Sequence, residues 1–172
     1  MNPLRWSFRA QFLAGFLGCV ALVAYAIKTQ LYDGLEPCPL CIFQRIAYAA
    51  LALVFLVGGL HAPRSAGVRG FYGVLVIAAS LVGIGIAGRH VWLQTLPVDQ
   101  APSCGPPLSF LHESLGTFET ARKVLTGSGN CGDIDWTMLG LSMPAWSLIG
   151  FVALGAWGVL AAFRRRKGRN RL

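Results

Sequence analysis

The 172-residue sequence predicts an all-α membrane protein: an antiparallel four-helix transmembrane bundle with two loops on one face, the second holding a short amphipathic helix. Three observations carry this. Hydrophobic residues make up 55% of the chain and charged residues only 13%, about half of what a water-exposed domain carries. Four stretches, 12–27, 46–60, 70–88 and 145–163, contain no charged residue. All seven acidic residues fall on one side of a four-span model, whereas ten of the 15 basic residues fall on the other.

Each span follows from its sequence. The runs 70–88 and 145–163 have 19 residues each, enough to cross a hydrocarbon core of about 30 Å as helices. The first two runs extend to about 10–27 and 41–60, admitting only Gln11 in one and Gln44 and Arg45 in the other. Backbone polar groups cannot stay unpaired in lipid, so helices are the natural form; the short alternating segments of a β-barrel are not visible. Arg5 and Arg9 before the first run resemble a signal peptide, and Gly18-Cys19 hints at a lipoprotein site. The apolar run continues through 20–24, so the segment reads as a retained span.

Between spans 2 and 3, 61–67 (His-Ala-Pro-Arg-Ser-Ala-Gly) is a tight turn. The other connections are loops of about 28–40 and 89–144. In the longer one, Leu108, Leu111, Leu115 and Phe118 recur at helical spacing. That stripe fits a helix lying in the membrane interface or one packed on the bundle ends. With no internal repeat and a basic tail at 164–172, the chain reads as one domain, 1–172.

The charge sets the topology. Arg5, Arg9, Arg64, Arg69, Arg164, Arg165, Arg166, Lys167, Arg169 and Arg171 share one side; Asp33, Glu36, Asp99, Glu113, Glu119, Asp133 and Asp135 share the other. The positive-inside rule places both termini in the cytoplasm. The net charge of +8 is therefore read as a topology anchor touching anionic lipid, with no nucleic-acid partner expected.

Five cysteines are present. Cys19 lies inside span 1 and reads as a small buried hydrophobe. Cys38, Cys41, Cys104 and Cys131 all map to the outer face, which in a bacterial inner membrane is oxidising. Cys38-Pro-Leu-Cys41 is a C-x-x-C at the start of span 2. Pro39 suits the first helical position, which puts Cys38 at the cap and Cys41 in the first turn, where the helix dipole favours a thiolate. Arg45, four residues after Cys41, shares its helical face and can hold an anion there or snorkel to the interface. Cys104 and Cys131 span 28 residues. A disulfide there would act as a staple worth about 3.5 kcal/mol or as an exposed exchange site. Only one pair is a C-x-x-C, which argues against a structural zinc site, and Ile42 excludes the C-x-x-C-H of haem attachment.

Cys-Pro-Leu-Cys-Ile-Phe-Gln-Arg at 38–45 resembles the signature of the DsbB family of disulfide-bond-forming membrane proteins. Arg-His-Val-Trp-Leu-Gln at 89–94, the lone Cys104 and Cys131, and Leu-Gly-Leu-Ser-Met-Pro-Ala-Trp at 139–146 are similar to further family segments. The resemblance covers nearly the whole chain, least of all the tail and the loop interior. It implies a thiol:quinone oxidoreductase that reoxidises a periplasmic thioredoxin-like dithiol oxidase of the DsbA type, with a membrane quinone (ubiquinone or menaquinone) as cofactor, acting as a monomer. It also implies roles. A Cys104–Cys131 disulfide takes electrons from the partner through a mixed disulfide on Cys104. Cys38 and Cys131 form an interloop bond during transfer. Cys41 faces the quinone, Arg45 stabilises the charge there, and His90 sits near the ring. Gln44 stands where some members carry Glu and receives no role. The competing readings are a paralogous thiol oxidase with a dedicated partner, a vitamin K epoxide reductase-like protein of related chemistry, and a membrane scaffold or transporter stapled by disulfides. Against the last, no span carries a mid-membrane acidic residue or a helix broken by proline.

Overall fold

The computed structural model describes residues 6–32, 38–96 and 136–164. Four helices dominate it: α1 (Phe8–Tyr32), α2 (Pro39–His61), α3 (Ala66–Leu93) and α4 (Met143–Phe163). They have 25, 23, 28 and 21 residues, and all four are long and apolar enough to cross a membrane. At 1.5 Å per residue even the shortest reaches about 32 Å. The helices run beyond the uncharged stretches because a helix continues through the membrane interface; α3 includes Arg69 and Arg89 at its two ends.

The ends are set locally. Ser7 Oγ accepts from Ala10 N–H at 3.1 Å and starts α1. Cys38 caps α2, with Pro39 in the first turn. Ala62, at the far end of α2, sits in the left-handed region with φ 43°, and its N–H bonds the Gly58 carbonyl, ending the helix before Pro63. Before α4 there is an element the sequence reading left within the long loop. Thr137–Met138 (β1) and Leu141–Ser142 (β2) pair antiparallel across Leu139 and Gly140, both at positive φ (55° and 78°), as a two-residue hairpin turn requires. Trp146 Nε1 donates to the Met138 carbonyl at 3.0 Å and ties this hairpin to α4.

The helices form a ring in chain order, α1 against α2, α2 against α3, α3 against α4 and α4 against α1. Successive helices are antiparallel: Gly58 of α2 meets Phe12 of α1, and Arg45 bonds Ala26 and Gln30 at the other end of the same pair. The interior is built from aromatic rings set into glycines. Phe55 faces Gly15, Phe12 faces Gly58, and Phe151 faces Gly83. Phe12, Phe55 and Phe151 are fully buried. Lipid offers no hydrophobic drive for helix association, so close approach at small residues supplies the packing. Outward, Leu17, Leu53, Phe71, Leu81 and Val152 are exposed by more than half, as a lipid-facing surface would be.

Gly83 is the tightest of these contacts. A Cβ there would overlap the Phe151 ring, which is wedged on its other side by Tyr48, stacked at 3.9 Å between centroids. Gly83→Ala is expected to destabilise the bundle by about 1–3 kcal/mol, read as a lower unfolding temperature in detergent. An unchanged unfolding temperature would show that the ring can give way.

Candidate functional site

Cysteine chemistry concentrates where α2 begins beside the end of α3. Cys38 has the extended backbone of a cap (φ −64°, ψ 160°), and its sulfur takes the place of the usual cap oxygen, accepting the Cys41 N–H at 3.3 Å. Both cysteines are half-buried. Their sulfurs are 3.0 Å apart, against about 2.05 Å for a disulfide, so a small rotation separates the dithiol from the bonded form. Leu40 and Leu93, both buried, pack together beside them with Cys38, Phe43, Ile86 and Leu96. This apolar plug fixes the cysteine end of α2 against α3.

That packing brings His90 to the cysteines. His90 is only 2% exposed. Its Nε2 lies 3.6 Å from Cys38 Sγ, and its Nδ1 is 2.9 Å from Gln44 Nε2. Gln44 is buried too. With the Gln44 amide nitrogen donating to Nδ1, the ring proton sits on Nε2 and points at the Cys38 sulfur. Two donors then converge on Cys38, the Cys41 backbone N–H and the His90 ring. Cys38, Cys41 and His90 present their sulfur and nitrogen atoms within 4.8 Å of one another.

Arg45 lies one turn further along α2 and reaches sideways to α1. Its guanidinium donates to Gln30 Oε1 at 2.6 Å and to the Ala26 carbonyl at 3.0 Å. Both acceptors are neutral, a side-chain amide and a backbone carbonyl. Arg45 thereby ties α1 to α2 at the cysteine end. Arg45→Met keeps the stem and removes both bonds. It is expected to cost about 1.5–3 kcal/mol, measurable as earlier thermal unfolding and faster amide exchange around residues 26–30; no change in either would remove the tie from the account. At the neighbouring corner, Ser142 Oγ donates to Gln94 Oε1 at 2.7 Å and links the ends of α3 and α4.

Of the residues singled out from sequence, the structure groups Cys38, Cys41 and His90 and places Arg45 beside them on α2. Cys104, Cys131 and the amphipathic stripe of Leu108, Leu111, Leu115 and Phe118 lie outside the described residues. Sequence reasoning missed Gln44 and Gln30. A signal for Gln44 existed: an amide inside an apolar span must find a partner, and His90 is one of few polar side chains at the matching end of α3.

Comparison with known proteins places the chain in a family. The family model described as "Disulfide bond formation protein DsbB" matches residues 8–161. The chain is 64% identical over 167 residues to the disulfide bond formation protein B of Xanthomonas oryzae pv. oryzae (strain MAFF 311018), covering 97% of each chain. It is 63% identical over 170 residues to that of Xanthomonas campestris pv. campestris (strain 8004), covering 99% of each. It is 57% identical over 169 residues to that of Xylella fastidiosa (strain Temecula1 / ATCC 700964), covering 97% of this chain and 98% of the relative. Matches of this identity and coverage, on a four-helix membrane bundle with a C-x-x-C capping its second helix, make the chain a member of the DsbB family of disulfide bond formation proteins.

Proposed function

We propose that the protein is a quinone-dependent thiol oxidase of the bacterial inner membrane that reoxidises a DsbA-type periplasmic dithiol oxidase. The observation that carries this reading is the Cys38–Cys41 dithiol at the mouth of an apolar span, with His90 Nε2 3.6 Å from the Cys38 sulfur. Family membership and the charge asymmetry support the remainder: the whole chain as one membrane unit, both termini cytoplasmic, the cysteine end periplasmic, and a monomer as the working form.

In this reading the partner's dithiol reduces a Cys104–Cys131 disulfide through a mixed disulfide on Cys104. The freed Cys131 thiolate attacks the Cys38–Cys41 disulfide at Cys38 and releases Cys41 as a thiolate. The partner's second cysteine displaces Cys104 as a thiolate and leaves the partner as a disulfide; Cys104 then attacks the Cys131–Cys38 bond. That step re-forms Cys104–Cys131 and expels Cys38, also as a thiolate. The converging donors suit it: a departing Cys38 sulfur gains negative charge, and the Cys41 N–H and the His90 Nε2–H both point at that sulfur. Charge-assisted bonds of this kind are about twice as strong as neutral ones. The Cys38/Cys41 pair left behind must lose two electrons, and the two protons given up by the partner's thiols go to the same acceptor.

A membrane quinone, ubiquinone or menaquinone, accepts those electrons and protons when bound and becomes the quinol. The residues present fit such an acceptor. The half-buried dithiol ends an apolar span, so a lipid-dissolved molecule reaches it sideways without crossing water. Arg45, one turn from Cys41, supplies positive charge at the same level. A kinetically driven quinone route also fits the need of a strongly oxidising partner.

The test is quinol formation by the purified chain, driven by a reduced thioredoxin-like partner. Sustained stoichiometric conversion, one quinol per partner disulfide, is the expected result. Partner oxidation without quinol, or no oxidation with any quinone, would remove this function.

A further inference from the structure

We infer that the reduced site is also a binding site for a thiophilic d10 cation of the zinc class, held by Cys38 Sγ, Cys41 Sγ and His90 Nε2, and that the bound ion arrests turnover. The inference rests on the proposed function only in that turnover passes through the reduced dithiol.

Four features of the geometry support it. The three donor atoms lie within 4.8 Å of one another. The Cys38 Sγ to His90 Nε2 distance is 3.6 Å, and a tetrahedral zinc with ordinary Zn–S and Zn–N bonds holds such a pair ~3.6 Å apart. The two sulfurs, at 3.0 Å, need only open to the ~3.8 Å that two Zn–S bonds at a tetrahedral angle require. Finally, metal-bound histidines characteristically donate their other ring N–H to a fixed acceptor. Gln44 stands at that position, 2.9 Å from Nδ1. A half-turn of its amide presents oxygen instead of nitrogen, moves the ring proton to Nδ1 and frees the Nε2 lone pair for the ion. One buried amide thus supports His90 both as a hydrogen-bond donor to Cys38 and as a ligand.

Two sulfurs and one nitrogen leave the fourth tetrahedral position open to water, as in three-ligand zinc sites. This differs from a structural zinc built on four cysteines, which the sequence argues against. Here the ion enters only when both sulfurs are reduced and unbonded, and it occupies the atoms that must otherwise form the disulfide. No electron changes hands: the two thiols give up their protons to solvent as the ion binds, and removal of the ion with reprotonation restores the dithiol.

The experiment uses the full chain in detergent, with Cys104→Ser and Cys131→Ser so that Cys38 and Cys41 form the sole accessible dithiol (Cys19 is fully buried). Zn2+ is the probe. The expected result is one Zn2+ per reduced chain and none per oxidised chain. Cys38→Ser is expected to weaken binding at least 100-fold, and His90→Ala about 10- to 100-fold. X-ray absorption on the chain with His90 intact reads the ligands directly, whatever the folding of the His90 variant. Two sulfurs and one imidazole nitrogen support the site. A shell without imidazole, equal binding to the oxidised chain, or no stoichiometric binding overturns it. With all four cysteines present, Zn2+ is expected to stop quinol formation and a chelator to restore it; turnover unaffected by saturating Zn2+ would overturn the arrest. Binding is read without quinone or partner. A chain that makes quinol but binds no zinc therefore sinks only this inference, and one that binds zinc but never makes quinol sinks only the proposed function.

Discussion

Cys41→Ser is expected to abolish quinol formation while leaving the chain able to oxidise at most one equivalent of partner dithiol. The physical reason is electron accounting. In the proposed sequence a Cys104–Cys131 disulfide accepts two electrons from the partner without help from α2. Those electrons leave it only by exchange with a Cys38–Cys41 disulfide, and a serine oxygen at position 41 cannot form that bond. Activity should fall from many turnovers to a single one, a loss of three orders of magnitude or more on the scale of removing a catalytic nucleophile. The variant is not expected to unfold. Serine is close to cysteine in size, Cys41 is half-buried, and the cap of α2 uses the Cys41 backbone N–H and the Cys38 sulfur. Stopped-flow quinone absorbance together with counting of partner thiols measures both quantities. Multiple turnovers by Cys41→Ser would show that another route carries the electrons.

The second large effect belongs to His90. His90→Ala removes the ring nitrogen that faces Cys38 Sγ at 3.6 Å and is expected to slow quinol formation about 100-fold, the lower range for a positioned proton donor. Gln44→Leu keeps the ring but removes the group that orients it and selects its tautomer. It should cost less, about 10-fold, by analogy with loss of the partner that orients a ligating or catalytic histidine. The KM for the partner should stay the same in both, because neither side chain lies on the pair proposed to meet the partner. A rise in that KM with unchanged kcat would place His90 in partner docking instead. The ordering is itself a test: if Gln44→Leu cost more than His90→Ala, the amide and not the ring would be acting on the sulfur.

These two predictions draw on different levels of information. The role proposed for Cys41 starts from a C-x-x-C with Pro39 at the head of an apolar span, local features that fix a helix start wherever it packs. The four helices were legible for the same reason. In lipid a chain must satisfy its own backbone, so a long uncharged run has little choice but to be a helix. The hairpin before α4 was not legible. Leu139 is 85% exposed and sits at positive φ, a conformation that leucine's own preference argues against and that the pairing of β1 with β2 imposes. Arg45 lies between the two cases. Its spacing put it on the Cys41 face, but its hydrogen bonds go to Gln30 and Ala26, because α1 packs closely enough to offer acceptors that an isolated α2 lacks.

By itself, the sequence determined the helices, their antiparallel order and the cap that holds Cys38 and Cys41 together, since each depends on residues near one another in the chain and on the bilayer as solvent. Only the tertiary structure decided what faces the sulfur. Gln44 and His90 are 46 positions apart, and no periodicity within α2 or α3 says how far one helix slides along the other. That register is set where side chains meet between helices, by Leu40 against Leu93 and by rings seated in glycines such as Phe151 on Gly83. A slip of one turn, about 5.4 Å, would carry His90 out of reach of Cys38 and leave both helices otherwise intact.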